Sequence, residues 1–367
     1  MALCRARAPI GKDVMERVDR QMMSAAIAAA GGQYPHPNPR VGAVVVAPDG
    51  RVVGRGGHRG PGSPHAEVVA LAEAGELARG ATLYVTLEPC AHHGKTPPCT
   101  EAIIAAGIGR VVAAVEDPDG HVAGRGLAAL AASGIKVVTG ICSTEARDLD
   151  PGYFHHRSTG RPRVTLKVAM TLDGQAAAAD GTSQWITSSE ARRDAHHLRA
   201  AHDAIMVGAG TLLADDPQLT VRLEGFVGPQ PLPVIVAGRR RIPADLRVFE
   251  RSALVFSPVG LDLPAEVIVI PDESGDKANL SKMLDILGER GVVDLMVEGG
   301  PLLATSLFRN DLVDCGVVYV AARLAGGSGR GIFDGEVFAS VGDLQEVLFT
   351  GISRVGPDLR IDFERGS

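Results

Sequence analysis

Apolar positions along the first half of the chain fall into short alternating or continuous runs separated by helical stretches. Asp19 to Ala30 reads as a helix stopped by Gly31-Gly32. Val41 to Val46 and Arg51 to Gly54 read as strands around the turn Pro48-Asp-Gly50. His65 to Ala74 reads as a helix entered through Gly-Ser-Pro64, and Ala81 to Thr86 as a strand with Pro89-Cys90 at its exit. Thr100 to Ala106 is a helix opened by Cys99, followed by a strand at Val111 to Val115, a helix at Leu127 to Ser133 and a strand at Val137 to Thr139. Alternation of this kind predicts a layered α/β domain.

The pattern breaks at Tyr153 to Pro162, where residues 155–162 hold no apolar periodicity, and a boundary is placed there. A second α/β series opens with the strand Val164 to Met170. Glu190 to Ala201 is a helix, with Thr187 and Glu190 spaced as a capping box. Strands follow at Ala204 to Val207, Val234 to Val236, Ala253 to Phe256, Val267 to Ile270, Leu295 to Val297 and Val317 to Val320. No G-x-G-x-x-G follows these strands, so a Rossmann site is not indicated. The expected division is a disordered tail at 1–15, one domain at 16–157 and another at 158–367.

Composition narrows the class. The chain has 367 residues, enough for two or three domains, and its aromatic content of 4% means cores of Ala, Val, Leu and Ile. A net charge of −6 argues against a general grip on nucleic acid or anionic membrane. The five cysteines are scattered, a poor disulfide framework, and the expected compartment is the cytoplasm. No run is long and apolar enough for a transmembrane helix, and Met1 to Lys12 lacks the apolar core of a secretory signal.

The candidate chemistry centres on His65-Ala66-Glu67, Pro89-Cys90 and Cys99. One imidazole and two thiolates can hold Zn²⁺ with a fourth position left for water. A glutamate two residues after the histidine can move that water's proton, as in the zinc deaminases. The metal would be held by His65, Cys90 and Cys99, with Glu67 as general acid and base. The competing reading is a closed structural site completed by His92 or His93, in which Glu67 would have no use. The deaminase pattern has C-x-x-C; here Ala91 to Pro98 separates the cysteines and adds polar groups beside the metal.

The stretch Thr86-Leu-Glu-Pro-Cys-Ala-His-His-Gly-Lys-Thr-Pro-Pro-Cys99 resembles the bifunctional riboflavin-biosynthesis family, a pyrimidine deaminase fused to a nucleotide-sugar reductase. His36-Pro-Asn-Pro-Arg-Val-Gly-Ala43 is similar to the first half of that family. Leu166 to Gly174, Ser183 to Thr187, Ala214 to Arg222 and Glu298-Gly-Gly-Pro301 are similar to the second. The resemblance implies a cytidine-deaminase-like α/β/α domain followed by a dihydrofolate-reductase-like domain. It implies zinc-dependent deamination of 2,5-diamino-6-ribosylamino-4(3H)-pyrimidinone 5′-phosphate. NADPH-dependent reduction of the ribosyl chain would then give 5-amino-6-ribitylamino-uracil 5′-phosphate. A homo-oligomer is expected, with no nucleic-acid or membrane partner.

Site residues also come from the resemblance. Asn38 and His58 match pyrimidine-pocket positions; His92, Lys95 and Thr96 match positions near the base and 5′-phosphate; Asp117 matches a nearby acidic one. Each of these would otherwise be an ordinary loop group, and Asn38, between two prolines, a turn residue. Asp119 and Gly120 depart from the family's Asp-Pro-Asn-Pro, which removes position 119 from the substrate contacts. In the second half Ala169, Trp185, Thr211, Asp215 and the run Gly300, Pro301, Leu302, Leu303, Ala304, Thr305, Ser306 match NADPH positions. Ser183, Arg199, Leu219, Arg222 and Glu298 match substrate positions, with Lys167 and Asp173 near the reacting sugar. The bland alternatives are a core role for Trp185 and a solvated helix face for Arg199. Pro301 in a first helical turn after Gly300 suits phosphate approach to bare N–H groups. Arg192 and Arg193 are the candidates for reading the 2′-phosphate. A transfer-RNA-type deaminase would favour a basic surface and the shorter cysteine spacing. A zinc-stapled regulatory protein would release no ammonia.

Overall fold

The computed structural model describes residues 12–31, 35–93, 97–120, 123–327, 329–335 and 340–366. The chain divides into two compact units, Met1–Ser158 and Thr159–Ser367.

In the first unit the order is α1 (Lys12–Ala29), β1 (Gly42–Val46), β2 (Val52–Gly57), α2 (Ala66–Ala74), β3 (Thr82–Leu87), α3 (Cys99–Ala105), β4 (Arg110–Val115), α4 (Arg125–Ala132), β5 (Lys136–Thr139), α5 (Ser143–Arg147) and α6 (Pro151–Thr159). The five strands lie in the order β2-β1-β3-β4-β5. β1 is antiparallel to both neighbours, and β3, β4 and β5 are parallel. Glycines show which helix covers which face. Gly42 and Gly57 are cross-strand partners; a Cβ on either would lie 2.0 Å from Ala26 O or 2.4 Å from Ala29 O, both in α1. A Cβ on Gly54 or Gly56 would lie 2.1 Å from Ala70 O or 2.0 Å from Ala66 O, both in α2. Alternate strand residues face opposite ways, so α1 and α2 cover opposite faces of the sheet. The scarcity of aromatics is thus matched by helices that lie almost on the strand backbone.

One expectation needs correcting here. Helix α1 begins at Lys12, so residues 12–15 are helical and not tail, while residues 1–11 lie outside the described residues. The boundary segment is helix α6, which buries Gly152, Tyr153 and His156. Only one narrow stripe is buried on a polar helix, so no apolar period marks it.

The second unit runs β6 (Arg163–Thr171), β7 (Gln175–Ala177), α7 (Ser189–Ala200), β8 (Ala204–Gly208), α8 (Ala209–Asp215), β9 (Leu232–Val236), β10 (Leu254–Ser257), β11 (Glu266–Val269), α9 (Leu280–Glu289), β12 (Asp294–Val297), α10 (Pro301–Arg309), β13 (Cys315–Ala321), β14 (Arg330–Gly331), β15 (Val347–Val355) and β16 (Asp358–Arg365). Nine strands form one sheet in the order β11-β10-β9-β8-β12-β6-β13-β16-β15. Pairings from β11 to β13 are parallel, and the last two are antiparallel. The central strands are apolar on both sides. Met206, Leu295 and Val297 pack with Leu287 of α9 and Leu303 and Leu307 of α10. Ile205, Val207 and Met296 pack with Leu212 of α8 and with Val248. Continuous burial of this kind is what a parallel sheet between helical layers requires.

The capping box at Thr187 and Glu190 is also corrected. The N-cap of α7 is Ser188, whose Oγ accepts from Ala191 N–H at 3.2 Å, and Glu190 instead accepts from Ser189 Oγ–H at 2.8 Å. The sequence reading also left out α8, α9 and the hairpin β15–β16.

The close approach of β2 to α2 gives a stability test. Gly56→Ala should destabilise the first unit by about 1–3 kcal/mol, the usual range for overpacking. Urea unfolding followed by circular dichroism measures it, and an unchanged midpoint would show that α2 yields without cost.

Candidate active sites

In the first unit, His65 is the N-cap of α2 and Glu67 lies in its first turn, while Cys99 opens α3. Cys90 sits in the loop that leaves β3. Their ligand atoms all lie within 4.8 Å of one another. His65 Nδ1 is 3.1 Å from Cys99 Sγ and 3.6 Å from Cys90 Sγ. A tetrahedral zinc with bonds of about 2.1–2.3 Å places its ligand atoms about 3.5 Å apart, so the set fits that ion. No fourth His, Cys, Asp or Glu among the described residues joins the group. His92 and His93 are exposed, and His93 Nε2 lies 3.9 Å from Glu101. The closed structural alternative therefore finds no ligand there.

The electrostatics follow from burial and from one shared thiol proton. A hydrogen bond from Cys99, with His65 alongside, holds the Cys90 thiol well below its ordinary value. Cys99 moves up, because Cys90 and burial both oppose its ionisation. The bond to Cys90 raises His65. Glu67 is buried, and desolvation pushes it up to about 7. A dication beside it would pull it down again.

Two of the expected pocket residues join this cluster. His58 stacks edge-on against His65 with ring centroids 5.2 Å apart. Its Nδ1 lies 3.2 Å from the Pro64 carbonyl and so carries the proton, which makes Nε2 the acceptor for Asn38 Nδ2–H at 2.9 Å. Asn38 is thus more than a turn residue. Asp117 is buried at the exit of β4, where Tyr153 donates to it at 3.0 Å and Asp119 N–H at 3.0 Å; burial raises its carboxyl. Lys95 and Thr96 lie outside the described residues.

Two positioning groups escaped the sequence reading. Glu88, buried beside Pro89-Cys90, accepts from four backbone N–H groups: Asp117 at 3.2 Å, Gly124 at 2.9 Å, Gly126 at 2.8 Å and Leu127 at 3.3 Å. It caps α4 from outside and ties Asp117 to the strand end that carries Cys90. Asp150 accepts from Arg40 N–H at 2.9 Å and lies 2.8 Å from His36 Nε2, fixing the loop that carries Asn38. A charged residue inside an apolar strand exit, as in Leu87-Glu88-Pro89, is the available signal for the first.

In the second unit Arg199 and Glu298 form a largely buried bidentate pair at 2.5 and 2.8 Å. Arg199 is therefore no solvated helix face. Burial alone would raise Glu298, but the Arg199 guanidinium overrides it and holds the carboxyl down at about 2. Lys167 on β6 is lowered by burial and is opposed in this by Glu298; its Nζ lies 5.8 Å from the Tyr319 ring centroid. His196, also missed, is held at about 4 by burial, with Arg199 and Arg222 adding to it. Neutral, its Nδ1 accepts from Arg222 N–H at 3.2 Å. Arg251 donates to the carbonyl of buried Leu219 at 2.9 Å, and Arg199 to that of Thr220 at 2.9 Å. These bonds fix the loop that presents Arg222. Arg222 and Arg251 are both lowered, by burial first and then by neighbouring cations. The cluster has an excess of positive charge suited to an anion.

The expected cofactor residues form a second group. A Cβ on Gly300 would lie 3.2 Å from Thr211 Oγ1, so the turn before α10 abuts α8. Gln184 Nε2 donates to Asp215 at 3.2 Å, at the far end of α8. Trp185 is 59% exposed, not core, and the Arg192 guanidinium lies 4.6 Å from its ring centroid. Leu302 is exposed, whereas Leu303 and Ala304 pack into the core and Thr305 Oγ1 accepts from Asp334 N–H at 2.8 Å. Those three can meet a cofactor only through backbone. Ala169 packs partly against the core under α7, and Ser183 is exposed. Asp173 accepts from Thr171 Oγ–H at 2.6 Å and from the N–H groups of Ala325 at 3.0 Å and Gly326 at 2.8 Å.

Comparison with known proteins covers both units. Residues 16–115 match the family model of the cytidine and deoxycytidylate deaminase zinc-binding region, and residues 162–361 match that of the RibD C-terminal domain. The chain is 42% identical to the riboflavin biosynthesis protein RibD of Escherichia coli (strain K12), over 88% of this chain and 92% of the relative. It is 40% identical to that of Aquifex aeolicus (strain VF5), over 96% and 100%. The solved structure of Acinetobacter baumannii RibD superposes with a TM-score of 0.89 at 38% identity, covering 96% of this chain and 100% of that one. A diaminohydroxyphosphoribosylaminopyrimidine deaminase/5-amino-6-(5-phosphoribosylamino)uracil reductase from Thermotoga maritima superposes with a TM-score of 0.85 at 34% identity, again over 96% and 100%.

The buried pair predicts a pH dependence. Glu298 sits at about 2 in the fold against an ordinary 4.5. Its contribution, roughly 3 kcal/mol, is present above pH ~4.5 and is lost as pH falls toward ~2. Glu298→Gln should remove that part of the acid loss and, by leaving Arg199 unpaired, cost about 3–5 kcal/mol at neutral pH. Urea unfolding across this window measures both. Parallel pH profiles for variant and wild type would show that the pair carries no such coupling.

Proposed function

The chain belongs to the RibD family of riboflavin-biosynthesis proteins, and from that premise we propose how its own residues carry the family's two reactions. It is a bifunctional enzyme, a zinc-dependent deaminase joined to an NADPH-dependent reductase, with a cytidine-deaminase-like first unit and a dihydrofolate-reductase-like second unit. The first reaction removes an amino group from 2,5-diamino-6-ribosylamino-4(3H)-pyrimidinone 5′-phosphate. The second reduces the ribosyl chain to give 5-amino-6-ribitylamino-uracil 5′-phosphate.

One observation carries the first assignment: three soft and borderline donors converge beside a buried carboxyl that is not among them. His65, Cys90 and Cys99 hold the zinc, which when bound supplies the Lewis acidity that makes water a nucleophile at neutral pH. Glu67 would take one proton from the attacking water and pass it to the ring nitrogen, then carry the second, from the hydroxyl so formed on the ring carbon, to the amino group that leaves as ammonia. Its burial suits it to hold a proton between those steps. Asn38, oriented by His58, binds the pyrimidine edge. Asp117 borders the same pocket, and His92, Lys95 and Thr96 take the base and 5′-phosphate.

In the second unit Arg222 takes the substrate phosphate, because its loop is fixed by Arg199, Arg251 and His196 and its surroundings are short of anions. Glu298 and Arg199 orient one another at the sugar, with Lys167 beside Glu298. Ser183, Leu219 and Asp173 complete the substrate side. NADPH supplies the hydride, and its binding is assigned to Gly300–Ser306, Thr211, Asp215, Trp185 and Ala169. A homo-oligomer and a cytoplasmic location belong to the same proposal. The free thiols of Cys90, Cys99, Cys142 and Cys315 support the location. Among the described residues no helix is long and apolar enough to cross a membrane.

Purified protein incubated with the diaminopyrimidine, with and without NADPH, should give the deaminated and then the reduced product by mass spectrometry. Glu67→Gln should lower deamination by about 10²–10⁴-fold while zinc stays bound. Loss of zinc from this variant would make Glu67 a ligand and overturn its role. Cys99→Ser should lose zinc and deamination but keep reduction of already deaminated substrate. Retained zinc would remove Cys99 from the ligand set.

A further inference from the structure

The reductase must distinguish NADPH from NADH at the adenosine ribose, and we propose that Arg240 is the residue that reads the 2′-phosphate. This rests on the reading that places the cofactor over Gly300. In a sheet of parallel strands, ligands lie in the crevice outside the strand carboxyl ends, and an arginine there accommodates the 2′-phosphate where a carboxylate would instead bind a free 2′-hydroxyl. Here β9, β8 and β12 are neighbours, and their carboxyl ends lead to Arg239-Arg240-Arg241, to α8 and to the Gly299-Gly300 turn respectively.

Contacts link these three exits. Gly300 abuts Thr211, and Arg240 Nη1 lies 3.9 Å from where a Cβ on Gly210 would stand. Arg240 is thus at the amino end of α8, with the glycine turn one residue further on. A Cβ on Gly238 would meet nothing within 4 Å, so the chain leaving β9 borders open space.

The direction of the cofactor follows from α8, which is about 10 Å long at 1.5 Å per residue. Its carboxyl end carries Asp215, bonded to Gln184 between Ser183 and Trp185. Ser183 is assigned to the substrate, so the nicotinamide, which must meet the sugar, belongs at that end. The adenosine then falls at the Arg240 end.

The other arginines are engaged or misplaced. Arg239 donates to Gly275 O at 2.8 Å and pairs with Asp276 at 3.0 Å. Arg241 lines a pocket of about 330 Å³ with Leu261, Asp262 and Leu263. Arg192 donates to Thr187 O at 2.7 Å and covers Trp185, at the opposite end of α8. Arg193 follows it on α7. The proposal therefore prefers Arg240 to the two candidates expected from the sequence, Arg192 and Arg193.

Isothermal titration of NADPH, NADH and adenosine 2′,5′-bisphosphate into wild type, Arg240→Ala, Arg240→Lys, Arg193→Ala and Gly300→Val tests the assignment without turnover. Arg240→Ala should weaken NADPH and the bisphosphate about 10- to 100-fold, the value of a charged hydrogen bond, and leave NADH unchanged. Arg240→Lys should recover part of the loss, and Arg193→Ala should cost nothing. An unchanged NADPH-to-NADH ratio in Arg240→Ala, equal loss of both, or loss in Arg193→Ala instead would overturn the role of Arg240. If Gly300→Val binds both nicotinamides as wild type does, it is the placement over Gly300 that fails, and the inference with it.

Discussion

A carboxylate placed one residue beyond a central strand organises each of the two sites. Glu88 follows β3 and Glu298 follows β12. Removing such a charge from water is costly unless every oxygen finds donors. The two units meet that demand differently. Glu88 gathers four backbone N–H groups, so its effect is to fix chain segments against one another. Glu298 takes both arms of one guanidinium, so its effect is to fix a side chain and a charge.

The difference suits the chemistry beside each. A metal site needs its donors held to a few tenths of an ångström, and Cys90 leaves the strand directly after Glu88-Pro89. Gly126 shows how tightly the second segment is drawn in, since a Cβ there would lie 1.9 Å from Pro89 O. A phosphorylated sugar needs positive charge in excess and correctly aimed. Glu298 pairs with Arg199, so the positive charge in excess is that of Arg222, with Arg251 behind its loop, where the proposed substrate phosphate would bind.

Close helix–sheet contact is the second constraint. The chain builds its first unit from Ala and Gly, and α2 lies on β2 with carbonyl oxygens where Cβ atoms would otherwise stand. Because His65 and Glu67 open α2, that contact sets their height over the sheet. Stability and zinc geometry are therefore fixed by the same small residues. In the second unit the equivalent work is done by larger side chains packed on both faces of the sheet.

The sequence by itself determined what is local. His65 and Glu67 lie two apart at a helix start, and Cys90 and Cys99 bracket one loop, so the metal chemistry was legible from spacing. Apolar runs located most strands for the same reason: burial leaves a period in the residues that are buried. Tertiary structure decided what depends on distant partners. Glu88 meets Gly126 across 38 positions and Glu298 meets Arg199 across 99. Nothing in the pattern around a glutamate names the donor it will find. Helix α6 was invisible because its buried stripe is Tyr153 and His156, and the hairpin β15–β16 because most of β15 is exposed. Arg239, Arg240 and Arg241 are one run in the sequence; they separate only when the fold gives Arg239 an aspartate, Arg241 a pocket and Arg240 the end of α8. Periodicity records that a face is covered, and only the folded chain records by what.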